Sequence, residues 1–201
     1  ETFEKSIDFK LNQKNILVTF HSVTLENSTA GQQFQELLNA IDELKDTNII
    51  FTKVNSDTDG RIINQMINEY VVKNPHKSIA FTSLGQLRYL SALQFIDAMV
   101  GNSSSGLTEA PSFKIGVINM GDRQRGRIKA DNVIDCMSNK ESILKAFKEL
   151  YSNKFQNALE GVKNPYGDGF ASKEIIKKLK KIKLNGILKK SFYDIKIYHN
   201  K

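Results

Sequence analysis

The chain has 201 residues, 40% of them hydrophobic and 25% charged, enough apolar side chain for one large core or two small ones. Its one cysteine, Cys136, excludes an internal disulfide, and no apolar run approaches the length of a bilayer span. A net charge of +7 admits nucleic acid, a membrane surface or a small anion as partner, and where the charge sits separates them.

NILVTF, 15–20, is a short run of strand formers, followed by the loop HSVTLENSTA, which ends in helix-start residues. Phe34, Leu37, Leu38, Ile41 and Leu44 then fall on one helical face. TNIIFTKV, 47–54, reads as a second strand. After NSDTDG, residues Ile62, Ile63, Met66, Ile67, Tyr70 and Val71 mark a second amphipathic helix. SIAFT, 78–82, is a third strand, and Leu87, Leu90, Leu93 and Ile96 give a third helix. AMVG, 98–101, is a fourth strand, the stretch from Ser104 to about Ala110 a single helix, IGVIN a fifth strand and NVIDC a sixth. Cys136 ends that last run and reads as a small buried hydrophobe. ESILKAFKELYSNKFQNAL is helical, and NPYGDGFAS is a turn-rich break. Short apolar strands alternating with amphipathic helices predict an α/β fold, a doubly wound parallel sheet covered on both faces, with a helical C-terminal extension. The expected division is a domain over 1–170 and an extension over 171–201.

Much of the positive charge lies in KEIIKKLKKIK, 173–183, and in Lys189 and Lys190. Ile175, Ile176, Leu179 and Ile182 recur at helical spacing, so the lysines form the solvated face of a packed helix; a membrane-surface helix or a nucleic-acid contact are the alternatives. No nucleic acid and no membrane partner is expected, and the lone cysteine suits a cytoplasmic protein.

Ligands of doubly wound sheets sit beyond the carboxyl ends of the strands. GNSSSG, 101–106, falls at such an end, just before a helix start with its unpartnered amides. Gly101 and Gly106 allow a tight turn and close approach, and Ser103 and Ser104 add hydroxyl donors. The stretch reads as a phosphate-binding turn, the plain alternative being a tight strand-to-helix connection. Glu109, farther along, reads either as an acceptor for two adjacent sugar hydroxyls or as a surface carboxylate. MGDRQRGR, 120–127, brings Arg123, Arg125 and Arg127 to the same end of the sheet, where guanidinium groups suit a diphosphate. No aromatic residues interleave them, which argues against nucleic acid. His21 directly follows the first strand and so lies at the ligand edge. No grouping of His, Cys and carboxylates has metal spacing, and no cofactor is called for.

VTFHSVTLE, SLGQLRYLSALQFIDAMVGNSSSGLTEAPSFKIGVINMGDRQRGR and NVIDC resemble the hydrolysing UDP-N-acetylglucosamine 2-epimerases of bacterial sialic and legionaminic acid pathways. The likeness spans about 15–170. It implies one half of a GT-B fold, the Rossmann-like domain that holds the nucleotide, with the other half of the active site in a domain upstream of Glu1. By that resemblance Ser103 and Ser104 contact the diphosphate, Glu109 the ribose and Arg123 the UDP site. Leu84 contacts the uracil through its backbone, and His21 is catalytic. Gly101, Asn102, Ser105 and Gly106 would support the diphosphate. Many members carry proline after the histidine, where this chain has Ser22. The implied substrate is UDP-N-acetylglucosamine or a UDP-diacetamido sugar, and full-length members tend to self-associate. A GT-B glycosyltransferase and a non-catalytic basic interaction module are the rival readings.

Overall fold

The computed structural model describes residues 2–23, 29–55 and 59–189. The helix-start residues expected at 24–28, the stretch 56–58 of NSDTDG, Lys190 and His199 lie outside the described residues.

Six strands form one all-parallel sheet: β1 (Lys14–Thr19), β2 (Thr47–Thr52), β3 (Ser78–Phe81), β4 (Ala98–Gly101), β5 (Gly116–Met120) and β6 (Val133–Cys136). Their order across the sheet is β3-β2-β1-β4-β5-β6. The strands alternate between two cores. Ile16, Val18, Ile49, Phe51, Ala98, Val100, Ile118 and Met120 enter one. Leu17, Ile50, Met99 and Val117 enter the other. A side-chain period of two with both faces buried is why the strands read as unbroken apolar runs.

Helices α2 (Ala30–Ile41), α3 (Gly60–Lys73) and α7 (Lys140–Leu150) cover the first face through Phe34, Leu37, Ile63, Ile67, Ile143 and Phe147. The short helix α1 (Phe3–Ile7), α4 (Gly85–Ala92) and the turn-length helices α5 (Ser105–Thr108) and α6 (Ala110–Phe113) lie on the second. The expected doubly wound α/β architecture is therefore the observed one.

Three helices differ from expectation. The helix expected from Ser104 to Ala110 is two pieces, α5 and α6, broken at Glu109. Pro111 follows, and its ring excludes a continuous helix by clashing with the carbonyl four residues back. The long helical run in the second half also divides, into α7 and α8 (Asn153–Leu159), because the Ser152 hydroxyl accepts from the Phe155 amide and starts a new helix. The third helix ends at Ala92, with Leu93 and Ile96 continuing in turns. Ala92, Leu93 and Ile96 are buried, with Tyr89 and Leu90 partly buried against the same core, whereas Leu87 is 82% exposed. α1 was not foreseen, since five residues hold too little periodicity to read.

Cys136 is half-buried against the first core, and burial, with the nearby Asp135 charge adding, pushes its thiol up to about 12. The chain divides into two compact units, up to Gly167 and from Asp168 onward. The second unit carries α9 (Ala171–Lys181), whose Ile175, Ile176 and Leu179 are exposed instead of packed. No helix among the described residues is long and apolar enough to cross a membrane.

Candidate functional site at the sheet switch point

In this strand order the chain winds outward from β1 in one direction and from β4 in the other. The carboxyl ends of β1 and β4 therefore flank a crevice that no crossover covers, the position where doubly wound sheets take ligands. Thr19 at the end of β1 pairs with Gly101 at the end of β4. Gly101 has φ of 134°, and a Cβ there would stand 2.0 Å from the Thr19 carbonyl oxygen. Only glycine lets the chain leave β4 this close to β1.

Asn102, 1% exposed, follows at once. Its side-chain carbonyl accepts from the His21 amide at 2.7 Å, and its side-chain NH2 donates to the His21 carbonyl at 2.7 Å. Its own backbone carbonyl accepts from Arg123 Nη1 at 3.0 Å and from Gln124 Nε2 at 2.7 Å. One residue thus ties together the end of β1, the serine turn and the arginine loop after β5. The side chain of Asn102, one of the residues expected to support a diphosphate, is bonded to the His21 backbone.

The turn itself presents donors. The amides of Gly106 and Leu107 go to the carbonyls of Ser103 and Ser104. Among the described residues, those of Ser103 and Ser104 have no such acceptor. At four residues α5 carries little dipole, so what the turn can offer an anion is its local amides and the Ser103 and Ser104 hydroxyls. The Arg123 guanidinium stands beside them.

A cleft of about 550 Å³ opens next to this turn, lined by the strand-end residues Thr19, Thr52 and Thr82, by Ser83 and Leu84 with the first residues of α4, Gly85 and Gln86, and by Tyr89, Ser103, Ser105 and Glu109. Of the residues expected in a site, Leu84, Ser103, Ser105 and Glu109 line the cleft. His21, Ser104 and Arg123 are not among its lining residues; His21 and Arg123 are joined to the serine turn through Asn102. Gly101 and Gly106 shape the turn: a Cβ on Gly106 would meet Val117 Cγ1 at 2.8 Å, so its absence lets α5 lie on β5. The Leu84 side chain is buried in the second core, leaving its backbone at the cleft wall, and its carbonyl accepts from Arg88 Nε at 3.1 Å. Ser105 donates its hydroxyl proton to Glu109, and the Tyr89 hydroxyl is bonded to the same Ser105 oxygen. Burial, with the Glu109 charge adding, pushes the Tyr89 phenol up to about 12 against the lowering effect of the Ser105 bond.

Residues 1–180 match the family described as UDP-N-acetylglucosamine 2-epimerase. The chain belongs to that family. One relative, the GDP/UDP-N,N'-diacetylbacillosamine 2-epimerase (hydrolyzing) of Campylobacter jejuni, is 42% identical over 193 residues, covering 96% of this chain and 50% of the relative. The UDP-N,N'-diacetylbacillosamine 2-epimerase (hydrolyzing) of Legionella pneumophila is 33% identical over 92% of this chain and 47% of its own length. The crystal structure of the Neisseria meningitidis UDP-GlcNAc 2-epimerase bound to UDP-GlcNAc superposes with a TM-score of 0.65 at 20% identity, covering 90% of this chain and 47% of that one. The chain spans about half the length of the curated relatives it matches. The fold is that of the family, Rossmann-like and half of a GT-B architecture.

Sequence reasoning missed Tyr89 and the three threonines. Their signal was present: NILVT, TNIIFT and SIAFT each end an apolar strand on a threonine, so three hydroxyls gather at one edge of the sheet. Tyr89 was passed over because the apolar stripe of the third helix was read through Leu87, Leu90, Leu93 and Ile96.

Proposed function

We propose that this chain is the UDP-binding half of a hydrolysing UDP-N-acetylglucosamine 2-epimerase, with the nucleotide domain over 1–170 and the helical extension over 171–201. The observation that carries the reading is the switch-point crevice, where the amides of Ser103 and Ser104, the Arg123 guanidinium and the Glu109 carboxylate come from segments that leave one edge of the sheet. The amides and Arg123 suit a diphosphate, Glu109 a vicinal diol, and the Leu84 backbone an edge of the base.

The reaction follows from what those groups favour. Loss of the proton on sugar carbon 2 and cleavage of the bond from carbon 1 to the diphosphate oxygen release UDP and leave a 2-acetamidoglycal. Water then adds, its hydroxyl to carbon 1 and a proton to the opposite face of carbon 2, which inverts that centre. The departing diphosphate gains negative charge as the bond breaks, so fixed N–H donors and a guanidinium stabilise the transition state more than the bound substrate. His21, whose backbone is anchored by Asn102, has the role of donating a proton to the leaving group or offsetting its charge. The remaining proton transfers belong to the other half of the cleft, so the 201 residues alone bind UDP without turnover. The product is N-acetylmannosamine or its 2,4-diacetamido analogue, and the Campylobacter and Legionella relatives favour the second. The full enzyme is cytoplasmic and works as a homo-oligomer.

Calorimetry of this chain with UDP tests the reading: saturable heat is expected, and silence at millimolar UDP would sink it. A GT-B glycosyltransferase shares the fold. Incubation of the full-length enzyme with sugar nucleotide and no acceptor separates the two, since only the epimerase releases a 2-epimerised free sugar.

A further inference from the structure

The Tyr89 hydroxyl, the Ser105 hydroxyl and the Glu109 carboxylate form one hydrogen-bonded chain along the cleft wall. Its direction is set by proton count. A serine hydroxyl owns a single proton, and that of Ser105 goes to Glu109 Oε2. The bond between Tyr89 and Ser105 is therefore donated by Tyr89. The phenol keeps its proton at neutral pH, since its ordinary value of 10.0 already lies above neutrality and burial raises it further, to about 12.

Glu109 needs such a support. It sits at the break between α5 and α6, with φ of −108°, and no regular helix surrounds it. Its amide bonds to the Ser105 carbonyl at 2.9 Å, which sets its backbone on the same turn as the serine. The side chain beyond that point has three rotatable bonds, and the Ser105 hydroxyl holds its far end. A carboxylate clamped through one oxygen retains lone pairs on both, the arrangement that receives two neighbouring hydroxyls at once.

We propose that Tyr89 and Ser105 are positioning residues that hold Glu109 for the two adjacent hydroxyls of the nucleotide sugar, and so make the site select ribose over 2′-deoxyribose. The proposal rests on Glu109 as the ribose acceptor. It also gives the three serines of the turn different roles. Ser103 and Ser104 face the diphosphate, whereas the Ser105 hydroxyl, expected to support the diphosphate, serves the sugar. Tyr89 thereby carries selectivity from α4, a helix that contributes no charged group to the ligand.

The experiment is isothermal titration of the 201-residue chain with UDP, 2′-deoxy-UDP and inorganic pyrophosphate, for the native chain and for Tyr89→Phe, Ser105→Ala, Ser105→Thr and Glu109→Ala. The native chain prefers UDP to 2′-deoxy-UDP. Tyr89→Phe and Ser105→Ala shrink that preference about three- to tenfold and leave pyrophosphate binding unchanged, Ser105→Thr restores it, and Glu109→Ala abolishes it. Added to Glu109→Ala, Tyr89→Phe changes nothing more. An unchanged preference in Tyr89→Phe, or an equal loss for UDP and pyrophosphate, overturns the positioning role while Glu109 stands. If the native chain binds the two nucleotides equally, or Glu109→Ala keeps the preference, the ribose assignment itself falls and this inference with it. Tyr89→Phe keeps the ring and its packing, and a thermal melt of each variant separates lost selectivity from lost fold.

Discussion

Asn102 is a polar side chain buried to 1% exposure and used as a clamp, bonded twice to the backbone of His21 while its carbonyl receives Arg123 and Gln124. A buried amide is retained at such a position when every group it touches would otherwise lose a partner. Asn102→Ala should therefore lower stability by about 2 kcal/mol, the cost of stranding one donor and one acceptor, as read from urea unfolding. It should weaken UDP further than that loss accounts for, because His21 and the serine turn lose their common anchor. Asn102 was legible as part of a loop with chemistry. Its partners were not, since His21 lies 81 positions away and nothing local in sequence joins them.

At the level of elements, the site depends on how closely α5 lies on β5. Gly106 makes that approach possible, with Val117 Cγ1 2.8 Å from where its Cβ would stand. Gly106→Val adds three carbons to a contact with no space for one. The expected result is a loss of roughly 1–3 kcal/mol together with a clear fall in UDP affinity, since the Ser103–Ser104 amides shift with the helix. Denaturant unfolding and calorimetry on the same sample check both. Strands were the most readable elements, because burial on both faces leaves continuous apolar runs. Helix boundaries were less readable. Pro111 and Ser152 each divide an apolar pattern that remains periodic across the break, and periodicity does not register a capping hydrogen bond. In α4 the inward-facing Tyr89 and Ala92 were hidden by Leu87, which is apolar but exposed.

For the molecule as a whole, the buried acids set an alkaline limit. Cys136 and Tyr89 are each raised to about 12 from ordinary values of 9.0 and 10.0, chiefly by burial, and Tyr70 and Tyr151 are raised in the same direction. Between those ordinary values and the raised ones the folded chain holds protons that the unfolded chain has released. Their contribution is complete below about pH 9 and is lost as pH rises toward 12. Urea unfolding from pH 8 to 11 should show stability falling, with a shallower slope in the double variant Cys136→Ala, Tyr89→Phe. A slope that is unchanged in that variant would refute this account.

Sequence by itself determined the parallel doubly wound sheet, the strand that each candidate residue follows, and the grouping of GNSSSG, MGDRQRGR and His21 at one edge, because apolar periodicity and chain order are local properties written residue by residue. Tertiary structure alone decided that β1 and β4 are neighbours, that Asn102 faces inward to bind His21, and that Tyr89 meets Ser105 on the cleft wall. Those contacts join residues far apart in the chain, and they form only when burial of the two cores brings the strand ends together.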